Sequence, residues 1–425
     1  MIKMNRMRKL LLVLMTLFVS LTLPAQVKLP LQQILDTIRM ANPAFAVFDA
    51  DIRSTQEAAK SARNWEAPQL GSGLWMTPYN PKYWAKSNSG NPGMGSFMLM
   101  AEQMLPNKKR QEAEEKYLTA MAEPTRERKK ELLNRMTAEA KKNYYQWIIL
   151  KKKNQILLEN EKLLDFMIRS AELRYKNGLG KMNVYYKLKA AIGEVQNQQM
   201  EIANDILQKK IALNTLMNRN TAADFDIDTA YEIHTYNAAL FDTSSLVQRR
   251  SDLKALQQEV NVNYLQQDLE MAKLKPVFGV QFVNMIGFGG APMQYSLLGT
   301  VKIPMAKWSS RAAKANVESL KWKLTALDNQ KKSILNESAG MAAGIEQERE
   351  LRIRQCSLYE QTIIPALRKN FQSLQNAYEQ NTEELFALFD AWESLNTTQL
   401  AYLQQLQDLL VLQTQLEEIL EIPAL

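Results

Sequence analysis

The chain has 425 residues and a formal net charge of +8, with only 15 glycines and 14 prolines. Long stretches contain neither residue type, and because both disfavour helix interiors, the composition favours a mostly helical protein. Four basic residues and no acidic residue precede position 26, which leaves +4 of the +8 for the rest of the chain. Charge therefore gives no support for nucleic-acid binding.

The residue types that most often carry catalysis are scarce. The one cysteine, Cys356, cannot form a disulfide within the chain, and the one histidine, His234, has no second histidine or cysteine with which to build a catalytic dyad or a transition-metal site. Neither a Gly-x-Ser-x-Gly nor a His-Glu-x-x-His motif is present. We therefore expect no histidine-based catalytic site and no transition-metal site; an exported hydrolase is the least favoured class.

The N-terminus has the pattern of a secretory signal peptide. Basic residues up to Lys9 are followed by an apolar run, Leu10 to Leu23, and then by Pro24-Ala25-Gln26. The run is shorter than the roughly 20 residues that a membrane-spanning helix needs. The pattern predicts a signal peptide at residues 1–25, cleaved after Ala25, and thus an exported protein.

Residues 26–218 form a first predicted repeat. Its elements are a helix at 31–63 interrupted near Pro43, strands at 69–76 and 96–105, a long helix at 108–176 with a kink at Pro124, and a returning helix at 182–218. Aromatic residues suited to a membrane interface lie at the end of the first strand and in the loop between the strands: Trp75, Tyr79, Tyr83 and Trp84. Asn177 and Gly178 mark a helical reversal, because glycine readily adopts a positive φ.

A mixed linker at 219–242 leads to a second predicted repeat at 243–425. This repeat has a helix at 243–275, strands at 276–286 and 294–303, a helix at 309–363 with a break or kink at Pro365, and helices at 366–380 and 384–421. Corresponding prolines and tyrosines of the two repeats lie about 200 residues apart, as expected of an internal duplication. The alternating aspartates of the linker lack the glycine and distant glutamate of a calcium loop.

The four strands are about ten residues long and alternate in polarity, which suits tilted membrane-crossing strands. Four strands cannot close a barrel, and open edges are not tolerated in lipid, whereas three chains would supply twelve strands. A helix of about 69 residues, on the order of 100 Å long, also needs lateral partners along its length. The sequence therefore predicts a mainly α-helical protein with four β-strands, duplicated helix–strand–strand–helix halves and a trimeric assembly.

The order of several short segments is similar to that of a known family. These segments are ANPAF at 41–45, EQMLPNKKR at 102–110, RYKNGL at 174–179, VKIPMAKW at 301–308 and IIPALRKNFQSLQNAY at 363–378. The chain resembles the TolC-like outer membrane efflux proteins across nearly its whole mature length. The resemblance implies a homotrimer whose twelve-stranded barrel lies in outer-membrane lipid and continues as a long periplasmic α-helical barrel. It also implies a periplasmic adaptor protein and an inner-membrane transporter of the RND type as partners. Proteins of this family bind no cofactor and catalyse no reaction, so the resemblance implies a chain that is not an enzyme and holds no cofactor and no metal.

The resemblance assigns roles to the two helical tips. Asn177, Gly178 and Leu179, with Gln380, Asn381 and Thr382, correspond to the tips that meet the adaptor. The gate positions at the periplasmic mouth are Tyr378, Glu383, Glu384 and Asp390, although the family's arginine and aspartate positions here hold Glu383 and Val184. The acidic residues would form a ring that favours cations, or they are solvent-exposed residues at a helix start.

Three functions remain open at this point. The first is an exit duct for small molecules or metal ions, where Met94, Met98, Met100 and Met104 provide soft thioether ligands or act as apolar filler. The second is the outer-membrane duct of a type I protein or peptide secretion system. The third is a soluble exported coiled-coil scaffold, which would leave the paired strands with their aromatic flanks unexplained.

Overall fold

The computed structural model describes residues 28–178 and 181–422. The predicted signal peptide and Leu179 of the first tip lie outside these residues. The chain divides into two compact units. The first unit holds the residues up to Phe45, Leu132–Arg249 and the residues from Ser338 onward, and the second unit holds Ala46–Glu131 and Arg250–Glu337.

The fold is mainly helical, as predicted. The α-helices of the described residues are α1 Leu31–Ala41, α2 Pro43–Ala59, α3 Lys108–Ala120, α4 Ala122–Lys176, α5 Met182–Leu216, α6 Thr243–Arg249, α7 Ser251–Ala272, α8 Lys307–Leu358, α9 Ile364–Glu379 and α10 Leu385–Leu420. Within residues 28–178 and 181–422, no helix is both long enough and apolar enough to cross a membrane.

Two helix interruptions differ from the prediction. The interruption of the predicted helix at 108–176 lies at Met121, between α3 and α4, and Pro124 sits in the first turn of α4. A proline is tolerated there because the first N–H groups of a helix have no partner within the helix. The predicted single helix at 243–275 is likewise divided, at Arg250, into α6 and α7.

Pro365 is accommodated by a local change in helix type. Helix α8 ends at Leu358, a π-helical segment covers Tyr359–Ile363, and α9 begins at Ile364 with Pro365 in its first turn. The π-helix hydrogen-bonds each N–H to a carbonyl one residue further back than an α-helix does. The chain therefore passes through this region without ending the helix.

The second unit contains a four-stranded antiparallel sheet. Its strands are β2 Gln69–Trp75, β3 Ser96–Met104, β5 Val277–Gly287 and β6 Gln294–Lys302, hydrogen-bonded in the order β2-β3-β5-β6. Strands β2 and β3 come from the first half of the sequence, and β5 and β6 come from the second half. The two pairs are joined by hydrogen bonds between β3 and β5. Strands β2 and β6 are the edges of this sheet.

The sheet has one strongly apolar face that is open to solvent. Leu70, Ala101, Phe282 and Leu297 lie side by side in one row across the four strands. The exposed large apolar residues on this face are Leu70, Leu74, Phe97, Leu99, Phe278, Val280, Phe282, Ile286, Tyr295, Leu297 and Val301. Since successive side chains of a strand point to opposite faces, the remaining strand residues form a second face. We call these the apolar face and the opposite face.

A small feature of the first unit was not predicted. Strands β1, Lys28–Leu29, and β4, Asp226–Ile227, form a parallel pair of two residues each. Phe225 beside β4 packs edge-on against the fully buried Trp147 of α4, with ring centroids 5.1 Å apart. The linker that was predicted from its polarity is therefore anchored to the helical core.

Candidate functional site

The first helical tip ends in a left-handed residue. Helix α4 stops at Lys176, and Gly178 has a φ of +71°. The backbone N–H of Gly178 donates to the carbonyl of Tyr175 at 3.0 Å, which satisfies one of the free carbonyls of the last turn. Only glycine adopts this conformation without steric cost, so the sequence fixes the end of the helix at this point.

The second tip has the same geometry with asparagine in place of glycine. Asn381 has a φ of +58°, and its N–H donates to the carbonyl of Tyr378 at 3.0 Å. The N–H of Thr382 donates to the carbonyl of Ala377 at 2.9 Å, completing a Schellman cap. Asparagine is among the few other residues that tolerate a positive φ.

An arginine joins the two tips. Arg174, in the last turn of α4, donates from Nη1 to Oδ1 of Asn381 at 3.0 Å. Its guanidinium carbon lies 5.4 Å from the ring centroid of Tyr378, which is buried. The side chain of Asn381 therefore has a partner across the tips, in addition to its role in the turn.

A lysine makes a second connection between the hairpins. Lys187 on α5 places its Nζ 4.8 Å from the ring centroid of Phe386 and 4.6 Å from that of Phe389, both on α10. The same Nζ lies 3.9 Å from Oε2 of Glu393. We refer to the contacts of Arg174 and Lys187 together as the tip latch.

An open cavity of about 320 Å³ lies between the tips. Its lining combines two cationic side chains, one carboxylate and several apolar groups: Ala171, Arg174, Gly178, Lys181, Val184, Glu384, Leu385 and Phe386. Both tips contribute to this lining.

A buried polar cluster ties the linker to the last helix of the first unit. Glu417 on α10 accepts from Lys141 Nζ at 2.7 Å and from the Tyr236 hydroxyl at 2.7 Å, and its Oε1 lies 3.0 Å from Nδ1 of His234. Lys141 and Glu417 are 7% and 6% exposed, so their charges are largely removed from water. Burial alone would raise the pKa of Glu417, but the Lys141 ammonium and the hydrogen bonds outweigh it and hold the pKa below its usual value.

Comparisons with known proteins agree with this architecture. Residues 34–219 match the model of the outer membrane efflux protein family. Over these residues the chain is similar to the outer membrane efflux protein family. This bears out the resemblance read from the sequence, and the family description agrees with the predicted outer-membrane location. No curated protein sequence gives a significant match.

Solved structures share the fold across nearly the whole chain. A membrane protein from Pseudomonas aeruginosa is 14% identical with a TM-score of 0.73, covering 93% of this chain and 91% of its own. The Vibrio cholerae outer membrane protein VceC is 14% identical with a TM-score of 0.68, covering 92% and 95%. The Neisseria gonorrhoeae MtrE outer membrane channel, in its open state, is 15% identical with a TM-score of 0.67, covering 92% and 88%. The chain thus has the fold of these membrane proteins.

The gate positions suggested by the family lie in different environments. Glu383, Glu384 and Asp390 are exposed, and within the described residues none of these carboxylates makes an ion pair or a side-chain hydrogen bond. Tyr378 is buried beneath Arg174. Of the proposed docking residues, Asn177, Gly178, Gln380, Asn381 and Thr382 are exposed at the tips, where Gly178 lines the cavity together with Glu384.

The four aromatic residues of the strand region divide into two groups. Trp75, Tyr79 and Tyr83 are exposed. Trp84 is half-buried, stacks on Phe288 with ring centroids 5.3 Å apart, and donates from Nε1 to the carbonyl of Pro78 at 2.8 Å. Trp84 therefore holds the loops between the strands together, and Tyr79 and Tyr83 remain free to meet an interface. The register pairs Trp75 with Ser96 on the opposite face, so the predicted interface role does not fit Trp75.

Proposed function

We propose that the chain is the outer-membrane exit duct of a tripartite efflux system. The observation that carries the proposal is the four-stranded sheet with an exposed apolar face and two open edges, β2 and β6. Such a face and such edges are not stable in water, and in lipid every backbone group must find a partner within the protein. A barrel closed by equivalent strands of further copies meets both requirements.

A homotrimer is the assembly that we propose, since three four-stranded sheets supply the strands of one barrel. Residues 26–218 and 243–425 act as the two repeats of each chain, joined by the linker at 219–242. The apolar face contacts outer-membrane lipid, and Tyr79 and Tyr83 lie at its interface with water. Trp75 pairs with Ser96 and therefore lies on the opposite face. The helical part extends into the periplasm.

The tips bind a periplasmic adaptor protein, which connects the duct to an inner-membrane transporter of the RND type. Asn177, Gly178, Gln380, Asn381 and Thr382 present backbone and short polar side chains at the tip surface. The cavity between the tips accepts a side chain of the adaptor hairpin. Because this cavity is lined by both tips, adaptor binding changes the distance between them.

The second tip acts as the gate. Its hairpin is held to the first by the tip latch, through Arg174 and Lys187. The contacts are partly exposed, so each contributes about 0.5–1 kcal/mol rather than the larger values of buried charge pairs. A latch of this strength keeps the mouth closed at rest and is readily displaced by a bound partner.

Replacing Arg174 with alanine is expected to favour the open mouth. The change removes the hydrogen bond to Asn381 and the cation–π contact with Tyr378, together about 1–2 kcal/mol, which corresponds to roughly a tenfold rise in the open-to-closed ratio. The measurement is the open probability of single channels of the purified protein in planar lipid bilayers.

Two further variants make this experiment specific. Arg169→Ala removes the same charge from an exposed position on α4 and should leave gating unchanged. Asn381→Gly keeps the left-handed turn but removes the amide that Arg174 binds, so it should reproduce part of the effect of Arg174→Ala. Equal behaviour of the Arg174 and Arg169 variants would contradict the latch.

The duct itself is tested by the conductance and ion selectivity of the same preparation. The purified protein should run as a trimer, conduct potassium salts and prefer cations. The triple variant Glu383→Gln, Glu384→Gln, Asp390→Asn should lower the cation preference severalfold, because it neutralises the carboxylates around the mouth. Reversal potentials in a salt gradient measure the preference.

The control for charge alone is Glu139→Gln. This variant neutralises an exposed carboxylate on α4, away from the tips, and should leave the selectivity as in the wild type. If the triple variant keeps the wild-type selectivity, the acidic ring is not at the mouth. If the protein is released into the soluble periplasmic fraction without detergent, the duct is refuted and the scaffold alternative is favoured.

A further inference from the structure

Methionine is concentrated in the strand region. Eight of the 21 methionines lie within residues 69–105 and 276–305. Four of these eight lie in strands, and the register places all four on the opposite face of the sheet: Met98, Met100, Met104 and Met285. Each of the four is half-buried. In the proposed duct this face lines the channel, because the apolar face meets lipid.

Two of these methionines are direct neighbours across the strands. Met98 on β3 pairs with Met285 on β5 in the antiparallel register. Directly opposed side chains have β-carbons about 4.5–5.5 Å apart, so two flexible thioethers at these positions reach a common ion. Met100 and Met104 continue the same face along β3, about 7 Å and then about 13 Å further at 3.3 Å per residue.

The methionines of β3 each lie opposite a glycine. Gly73 is opposite Met98, Gly71 is opposite Met100, and Gly279 is opposite Met104. A β-carbon added to Gly71 would lie 3.1 Å from Cε of Met100, and one added to Gly279 would lie 2.6 Å from Sδ of Met104. The thioethers of Met100 and Met104 therefore lie across a neighbouring strand, above its glycine. Gln281 fixes one of them by donating from Nε2 to Sδ of Met100 at 2.8 Å.

The opposite face is otherwise poor in charge. Its charged residues in the described strands are Glu102 and Lys302, which lie toward the ends of β3 and β6. Neutral sulfur ligands select soft monovalent ions such as Cu(I) and leave Na⁺, K⁺ and Mg²⁺ to water and carboxylates. Neutral ligands also hold a cation less tightly than carboxylates do. This suits conduction, which needs several weak binding sites rather than one tight site.

We propose that Met98 and Met285 form a subsite for a soft monovalent metal ion, and that Met100 and Met104 extend it into a path along β3. The cargo of the duct therefore includes ions of the Cu(I) class. The inference rests on the proposed function, because the methionines act on cargo only if their face lines the channel.

Silver is the probe, because Ag⁺ has the ligand preference of Cu(I) and is stable in air. Potassium nitrate currents through the trimer are recorded with increasing Ag⁺, in nitrate to avoid silver chloride. All proteins carry Cys356→Ala, because a thiol also binds Ag⁺. The parent protein should be blocked reversibly at micromolar Ag⁺, and Met98→Leu with Met285→Leu should raise the half-blocking concentration at least tenfold.

The matched control changes two methionines that do not belong to this face. Met94 and Met293 lie in exposed segments next to the strands, and their replacement by leucine should leave the half-blocking concentration unchanged. Equal block of all three proteins, or no effect of Ag⁺ on a conducting channel, would overturn the metal subsite.

Calorimetric titration of the detergent-solubilised protein with Ag⁺ tests the metal subsite independently of the proposed duct function. Binding that is lost in the Met98→Leu, Met285→Leu protein, together with an absence of any potassium current, would support the subsite and refute the duct. A potassium current together with Ag⁺ binding that is the same in both proteins would support the duct and refute the subsite.

Discussion

Glu417→Leu is expected to lower the free energy of unfolding by about 3–5 kcal/mol, because it leaves the buried ammonium of Lys141 without a partner. In the native protein the two charged groups are 2.7 Å apart and both side chains are less than a tenth exposed. The Tyr236 hydroxyl would lose its acceptor, and the imidazole of His234 would lose its neighbour. The measurement is chemical unfolding of the purified protein followed by circular dichroism.

The double variant Lys141→Met, Glu417→Leu tests the cause of this loss. It removes both charges and keeps similar side-chain volumes, so it should recover most of the stability that the single variant loses. A single variant as stable as the wild type would contradict the assignment, since it would mean that Lys141 finds water or another partner. A double variant as unstable as the single one would place the loss in packing around α10.

The same carboxylate gives the stability a predicted pH dependence. The pKa of Glu417 is held below its ordinary value of 4.5 in the folded protein. A carboxyl group whose pKa is lower when folded contributes stability above its unfolded pKa and loses that contribution as the pH falls through the folded value. The stability difference between wild type and Glu417→Leu should therefore be full at neutral pH and should shrink below about pH 4.5.

Leu297→Arg is expected to prevent stable insertion of the barrel. Leu297 lies in the row of the apolar face that also contains Leu70, Ala101 and Phe282. An arginine on the lipid side of a barrel strand costs about 2–4 kcal/mol near the middle of the bilayer, and a trimer would carry the change three times. Two measurements report the effect. One is the amount of trimer in the outer-membrane fraction, and the other is the temperature at which the trimer dissociates, read from gels of heated samples.

The neighbouring residue provides a matched control. Leu298 is also exposed, but it lies on the opposite face of the same strand. Leu298→Arg makes the same chemical change one position along the chain, and a channel interior accepts a charged side chain. The trimer should therefore form in this variant. Equal loss of trimer in both variants would show that the apolar face does not contact lipid.

The fold was predictable wherever the signal is local. The four longer strands are bounded by prolines and glycines and alternate in polarity, and Gly178 marks a reversal through its own conformational preference. Asn381 was predicted to tolerate the left-handed turn, and its φ of +58° is in that region. The interruption at Met121 was missed because the sequence offers a proline three residues later, and only the register of α4 shows that Pro124 fits its first turn.

The contacts of the candidate site were harder to predict. Arg174 and Asn381 are 207 residues apart in the chain, and Lys141 and Glu417 are 276 apart. Arg174 and Lys141 both occur on α4, a helix rich in charges, where one lysine or arginine looks like the next. Which of them acquires a partner depends on how the hairpins are packed, and a single sequence carries no local signal for that.

The π-helical segment at Tyr359–Ile363 has a consequence for the direction in which the second hairpin faces. In an unbroken α-helix, Cys356 and Leu374 would lie on the same side, since 18 residues make five turns. The wider turn changes the azimuth of every later residue by about a quarter of a circle. Cys356 packs in the core near the linker, and Leu374 packs near the tips. The π-helical segment therefore rotates the helix faces that follow it. As a result, one continuous helix packs a different side against each of the two cores.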